Sequence, residues 1–418
     1  MVFKIKIVLK SEEVKVYNLQ LMTAMRFVDS VEIIGNLRVE THPKVCELYR
    51  YDLLDLPPPL SRITKKPIAV FQPESDDDVL KILKVAAKFK VPLIPRGAAS
   101  SAYGGVVPIK KSFVVEFSRM RKFRIQKNCV IAESGANWFE IENAANRENL
   151  ALRVYPTSAF VSTVGGWVAQ NGFGVGSLAY GRIGENLEWI EVADFKGIRR
   201  VSGEEKWRYV GAYGTTGLIL RACVKLRENK PINAEAVSLS LDKAVELLDG
   251  GYYAAYISCG AMKNLGLEGN AFLICREGWG DKNALGEYLW NRRFEPLKGI
   301  NYRPIFSEVL LPLESVADFE ARLREFCKSY EIVFSKNEAS IFAIFDKKWE
   351  SYIRALKVLK VAKRYGGKFY GLGMISYVKD KNLREFKRSI DPHNLLNPGK
   401  AFQPNLISKI IKIAVMLA

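Results

Sequence analysis

Residues 91–108, VPLIPRGAASSAYGGVVP, constrain this chain more than any other stretch. They read as a short buried strand over 91–95, a loop of small residues, and a further strand after Pro108. Arg96 carries the one charge of the loop, and there is almost no side-chain bulk before Tyr103. Gly and Ala place nothing between backbone N–H groups and an anion, so the loop can cradle one at close range. It reads equally as a tight connection between strands. It is neither a Walker A loop nor a dinucleotide fingerprint: no Gly-Lys-Ser/Thr follows, and Gly-x-Gly-x-x-Gly does not occur there.

Two more glycine-rich stretches follow. Ser162-Thr163-Val164-Gly165-Gly166 reads as a helix start with a capping hydroxyl and free N–H groups, and 171–181 as a long loop, functional or a mobile lid. Gly211 to Gly217 leads into the apolar strand LILRACVKL. Three such loops, each beside a strand or helix start, point to one extended ligand held largely by backbone. Around them the chain alternates regularly. PIAVFQ is a strand, and Ser75 caps a helix opened by Asp76, Asp77 and Asp78. SFVVEF and NCVIAE are strands, 136–150 a helix, and LEWIEVADF with GIRRVSG a hairpin.

With 418 residues there is room for two or three domains. The net charge of +18 suits anionic partners, but the basic residues are spread along the chain, which argues against nucleic acid. Six cysteines (46, 129, 223, 259, 275, 327) form no Cys-x-x-Cys, so neither an iron–sulfur cluster nor a zinc ribbon is expected, and they read as reduced thiols of a cytosolic protein. Two histidines, His42 and His393, leave little for a His-based metal site or a Ser-His-Asp triad. The first ten residues read as a strand rather than a signal peptide, and no run approaches the ~20 apolar residues of a membrane span.

In order, Pro95-Arg96-Gly97-Ala98-Ala99-Ser100, Gly104-Gly105, Ser162 to Gly166, Gly176-Ser177, Tyr180-Gly181, Gly214 to Ile219 and Asn397-Pro398-Gly399-Lys400 resemble the FAD-linked oxidases of the vanillyl-alcohol-oxidase type. The branch is that of glycolate oxidase and D-lactate dehydrogenase FAD subunits, whose lead-in is similar to CELYRYDLLDLPP. The resemblance implies an α+β fold: an FAD-binding domain of two α+β subdomains plus an α+β cap with an antiparallel sheet. It divides the chain into a lead-in (1–60), the FAD-binding domain (61–229), the cap (230–385) and a C-terminal return with tail (386–418). It implies that Pro95 to Ser100, with Gly104 and Gly105, wrap the pyrophosphate, and that Ser162, Thr163, Gly165 and Gly166 approach the flavin and its phosphates. Ile219 would hold the adenine side and Asn397 would lie near the isoalloxazine. Pro156, Thr157, Val168, Asn171, Gly172, Tyr180, Gly181 and Gly217 complete the implied set. Neither FAD loop carries a histidine, so the flavin is expected to be non-covalent.

The chain departs from that pattern at Ala99 and Ser100, where the family usually has Gly and Thr. In the cap, 339–347 and 371–374 lack the histidines that supply the family's metal ligands and catalytic base. No metal site is therefore expected. The cap helices 242–250, 284–297, 315–330 and 351–367 alternate with strands NAFLICRE, FSEVLLPL, EIVFS and ASIFAIF. Arg293, in a segment similar to the family's Leu-Trp-x-x-Arg, is the candidate for a substrate carboxylate, or else an exposed helix arginine. Tyr370 is the second catalytic candidate, with Tyr302, Arg303 and Tyr377 behind it.

The expected function is oxidation of a small anionic substrate, such as a 2-hydroxy acid, by hydride transfer to FAD. Electrons would pass to an iron–sulfur or quinone acceptor on another chain. The alternative is a non-catalytic or electron-relay FAD subunit. A lyase-like or synthase-like use of FAD is a third reading. The apolar tail, 406–418, reads in order of preference as packing on the protein's own core, docking a partner, or lying on a membrane surface.

Overall fold

The structure, a computed structural model, describes residues 37–54, 56–295, 300 and 304–418. The strand and helix expected in residues 1–36, and the pocket candidates Tyr302 and Arg303, lie outside the described residues.

The first sheet holds β1 (Arg38–Glu40), β2 (Ala69–Gln72), β3 (Leu93–Arg96) and β4 (Phe113–Glu116) in the order β1-β2-β4-β3. The inner pairs are parallel and β1 is antiparallel. Helix α1 (Asp76–Phe89) makes the crossover from β2 to β3. Ser75 Oγ accepts from the Asp78 N–H at 3.3 Å, a cap contributing about 1 kcal/mol, and three aspartates favour the positive helix end. Val79, Ile82, Leu83 and Ala86 bury one face, and left-handed Lys90 (φ 53°) ends the helix. The C-terminal return pairs with β3: the Leu93 N–H donates to Leu395 O (2.7 Å), and the Asn397 N–H donates to Leu93 O (2.8 Å). The small-residue loop thus leaves β3 at a point braced on both sides.

The second sheet contains β5 (Phe123–Gln126), β6 (Cys129–Glu133), β7 (Leu150–Leu152), β8 (Leu187–Asp194), β9 (Gly197–Ser202) and β10 (Leu218–Glu228). Its order is β5-β6-β10-β8-β9, with β7 pairing the far end of β10, and every pair is antiparallel. Helices α2 (Trp138–Arg147) and α3 (Val164–Gln170) share a core with Ala222 and Val224 of β10.

The third sheet has seven antiparallel strands: β11 (Ile232–Val237), β12 (Tyr253–Ile257), β13 (Ala271–Glu277), β14 (Ile305–Pro312), β15 (Ser329–Phe334), β16 (Glu338–Phe345) and β17 (Lys368–Phe369). Their order is β11-β13-β12-β15-β16-β14-β17. Alternation along each strand sorts the residues. Phe272, Ile332, Ile341 and Ala343 pack against Phe319 and Val358 of helices α5 (Val316–Leu323) and α6 (Trp349–Arg364). Tyr253, Ala255 and Leu273 instead join the core of the second sheet, together with Leu289 of α4 (Ala284–Asn291).

Three local expectations change. The stretch 171–181 is not an open loop. Phe173 to Ser177 are buried, Ser177–Tyr180 form a helical turn, and a Cβ on Gly176 would meet Arg153 O at 2.0 Å. Helix α5 stops at Leu323, because the chain must turn to enter β15. Strands β11 and β12 were not expected. After helix α7 (Lys381–Ile390), α8 (Leu406–Leu417) buries Ile407 and Val415 but leaves Leu406, Ile413, Met416 and Leu417 exposed. No helix among the described residues is long and apolar enough to cross a membrane.

Candidate active site

The site grows from the end of β3. Gly97 cannot be larger: an added Cβ would lie 2.2 Å from Thr163 Oγ1. Gly165 is fixed in the same way, 1.9 Å from Ser134 Oγ, which itself donates to Ile219 O at 2.5 Å. Ala99 adopts φ +55°, a left-handed conformation that costs a residue with a Cβ about 1–2 kcal/mol. The N–H groups of Gly97, Ala98, Ala99 and Ser100 make no hydrogen bond to another described residue. Helix α3 begins in the expected stretch, with Thr163 at its cap position, but the Thr163 side chain makes no capping hydrogen bond. The Thr163 hydroxyl is buried without a partner, and so is Asn397 Oδ1. Buried polar atoms are nearly always hydrogen-bonded, so the Thr163 hydroxyl, on a residue that lines the cleft, marks a place where a ligand's polar group belongs.

The loop residues wall a narrow cleft of about 110 Å³, bounded by Pro95 to Ser101, Gly105, Ser134, Ser162, Thr163, Gly165 to Trp167, Tyr213, Gly214 and Ile219. Ser100, Ser101, Ser158, Trp167 and Gln170 also wall a second chamber of about 550 Å³, roofed by the third sheet. Its lining is aromatic (Tyr103, Trp167, Phe173, Phe306, Phe342, Tyr370), with Glu308, Glu331 and Ser340. Pro156 and Thr157 line this chamber. Asn171 lies on the wall of another cavity with Arg182, while Val168 is buried in the core behind. Gly104, Gly172, Gly181, Gly217 and Asn397 do not line the cleft or chamber, and Tyr180 donates to Glu277 of β13 at 3.0 Å.

Braces hold the loops. Asn397 donates through Nδ2 to Gly105 O (3.0 Å) and Tyr213 O (2.7 Å). Asp52 accepts from the Gly104 N–H at 2.8 Å, and burial raises its carboxyl to about 6. Fully buried Lys400 donates to Val107 O at 2.8 Å, and desolvation lowers its ammonium to about 7. Arg96 reaches back to Tyr51 O (3.0 Å) and stacks over Tyr49, so its charge faces the lead-in segment.

Arg293 does not line the chamber. Its guanidinium lies between the Trp290 and Phe294 rings and donates to Tyr155 Oη at 3.0 Å. Tyr370 does line it, packed edge-on against Tyr103 and Phe173, and burial raises its phenol strongly. Glu308 went unread in the sequence. It sits on β14 with Ser340 Oγ donating to it at 2.6 Å, and burial pushes its carboxyl up to about 8. In the sequence it is one polar position of an alternating strand and looks like a solvated one.

Residues 67–202 match the FAD binding domain family. The chain is an FAD-linked oxidoreductase. It is 22% identical over 473 residues to a D-2-hydroxyglutarate dehydrogenase of Xanthomonas citri pv. viticola, covering 91% of this chain and 98% of that protein. It is 24% identical over 446 residues to a D-lactate dehydrogenase of Archaeoglobus fulgidus, covering 90% and 99%. Its fold is that of a solved alkyldihydroxyacetonephosphate synthase, with a TM-score of 0.69 at 17% identity over 94% of this chain and 87% of the other. The cofactor is FAD, and the lining of the cleft suits its phosphates: crowded glycines, unpaired N–H groups and the orphaned Thr163 hydroxyl.

Proposed function

We propose that this oxidoreductase oxidises a small hydroxyl-bearing substrate, a 2-hydroxy acid by kinship, in the chamber beneath the third sheet. The observation that carries this reading is the shared wall between the loop cleft and that chamber. A cofactor held by the loops would face whatever the chamber binds. In this reading Gly97 to Ser100 and Thr163 to Gly166 hold the pyrophosphate through backbone groups, Ile219 holds the adenine side, and Asn397 supplies polar contact near the flavin ring. The FAD-binding unit spans 61–229 with the return at 386–418, and 230–385 is the cap. FAD, when bound, supplies the hydride acceptor.

The chain's own chemistry centres on Glu308. A hydroxyl losing hydride must also lose a proton, and no histidine lines the chamber among the described residues. Glu308 takes that proton when ionised, oriented by Ser340. Because burial holds it near 8, its ionised fraction rises about fiftyfold from pH 6 to pH 8, and the rate should follow. Tyr103, Phe306, Phe342 and Tyr370 keep water out and hold the substrate's carbon skeleton. The exposed stripe of α8 beside Lys409 and Lys412 offers contact with an anionic membrane surface or an electron-accepting partner.

A second reading, a neutral alcohol in place of a hydroxy acid, is favoured by the chamber wall. The chamber's lining is rich in aromatic rings, with Tyr103, Trp167, Phe173, Phe306, Phe342 and Tyr370. Anaerobic mixing of the FAD-loaded protein with matched panels of 2-hydroxy acids and neutral alcohols decides between them. Bleaching of the flavin absorbance by an acid supports the main reading, and bleaching by alcohols alone supports the second. No bleaching by either panel rejects both in favour of a relay subunit.

A further inference from the structure

A cluster of soft and acidic ligands lies on the second sheet, outside the cleft and chamber. Cys129 on β6, Cys223 on β10 and Glu188 on β8 come from adjacent strands, with β10 in the middle. Their Sγ atoms and carboxylate oxygen all lie within 4.8 Å of one another. Cys223 Sγ lies 3.4 Å from Glu188 Oε2. We infer that Cys129, Glu188 and Cys223 form a binding site for a thiophilic divalent cation of the Zn²⁺ class.

The strand geometry supports this beyond proximity. Cys223 pairs with Trp189, but the next residue, Val224, pairs with Leu187, so Glu188 is the extra residue of a β-bulge. A bulge re-aims the side chain it inserts, and here it brings Glu188 to Cys223. Zinc bonds of about 2.3 Å to sulfur and about 2.0 Å to oxygen, at the tetrahedral angle, put S and O about 3.5 Å apart. The Cys223–Glu188 separation already matches that edge.

The register argues against a disulfide. Cys129 pairs with Lys225 and Cys223 with Ile131, a diagonal offset of two residues. Such diagonal neighbours stand roughly 7–8 Å apart at Cα, beyond the usual span of a disulfide, whereas a metal ion bridges the gap. Two thiolates and one carboxylate on a divalent ion leave one net negative charge, and Lys225, on the same face as its pair Cys129, offsets it. Binding releases both thiol protons to solvent. Cys223 is buried, Cys129 half-buried and Glu188 exposed, so the fourth position opens to water.

The test uses reduced, FAD-loaded, chelator-stripped protein titrated anaerobically with Co²⁺ and then Zn²⁺. One equivalent of Co²⁺ should develop a thiolate charge-transfer band that Zn²⁺ displaces. Cys129→Ser and Cys223→Ser should abolish the band. Glu188→Gln, at an exposed position that leaves the fold intact, should weaken Co²⁺ binding at least tenfold, with FAD content unchanged in every variant. Absence of the band, a band that survives both serine variants, or Glu188→Gln affinity equal to wild type overturns the proposal. So does an intact mass showing a Cys129–Cys223 disulfide in the protein as purified.

Discussion

Replacing Glu308 by Gln tests the chamber's electrostatics without removing its hydrogen-bonding shape. The carboxyl moves from an ordinary 4.5 in the unfolded chain to about 8 in the fold, with burial as the cause and the Ser340 bond opposing it. Below pH 4.5 both states hold the proton and the group is neutral to stability. Between 4.5 and 8 the unfolded chain has lost the proton while the folded chain keeps it, so unfolding is favoured progressively as pH rises. At about 1.4 kcal/mol per pH unit the whole interval is worth about 5 kcal/mol, and roughly half of that if chamber water screens the group. Gln cannot titrate and loses this dependence. Urea unfolding of the FAD-loaded proteins at pH 5 and pH 8.5 gives both slopes. The wild type should lose about 2–5 kcal/mol more than Glu308→Gln over that interval. Parallel pH dependences of the two proteins would refute the assignment of a buried, protonated carboxyl to this position.

Other outcomes follow from the loops and braces. Gly97→Ala places a methyl at Thr163 Oγ1, so an FAD titration of apoprotein should show affinity at least about tenfold weaker, and urea unfolding a loss of about 1–3 kcal/mol from the overpacking. Ala99→Gly relieves a left-handed alanine, and urea unfolding should show a gain of about 1 kcal/mol. Lys387 is ion-paired with buried Asp391 and donates to Leu396 O, so Lys387→Met should cost about 3 kcal/mol by the same assay and loosen the return that carries Asn397.

How much of this was legible depended on the local signal. Helix α1 was readable because Ser75, three aspartates and a 3.6-residue apolar spacing all agree. Strand β12 was not. All five of its residues are buried, so it shows no polar alternation, and nothing in YAAYI separates it from a helical segment. The small-residue loops were visible as ligand-holding backbone, since glycine crowding leaves a compositional trace. The chamber was not, because it forms where the third sheet faces those loops. Glu308 looks like a solvent-side position of an amphipathic strand until that face is roofed. Arg293 was singled out by a local likeness to a substrate arginine, yet the aromatic rings beside it and Tyr155 hold its guanidinium elsewhere. Cys129, Glu188 and Cys223 are far apart in sequence and meet only through strand order and a bulge.

The most direct test of the central claim is the absorbance spectrum of the purified protein before and after acid precipitation. The account predicts a flavin spectrum that passes wholly into the supernatant, with FAD at one equivalent per chain. A colourless protein that cannot be reconstituted with FAD would contradict it, and flavin that stays with the precipitate would contradict the non-covalent site built by the Gly97 and Thr163 loops.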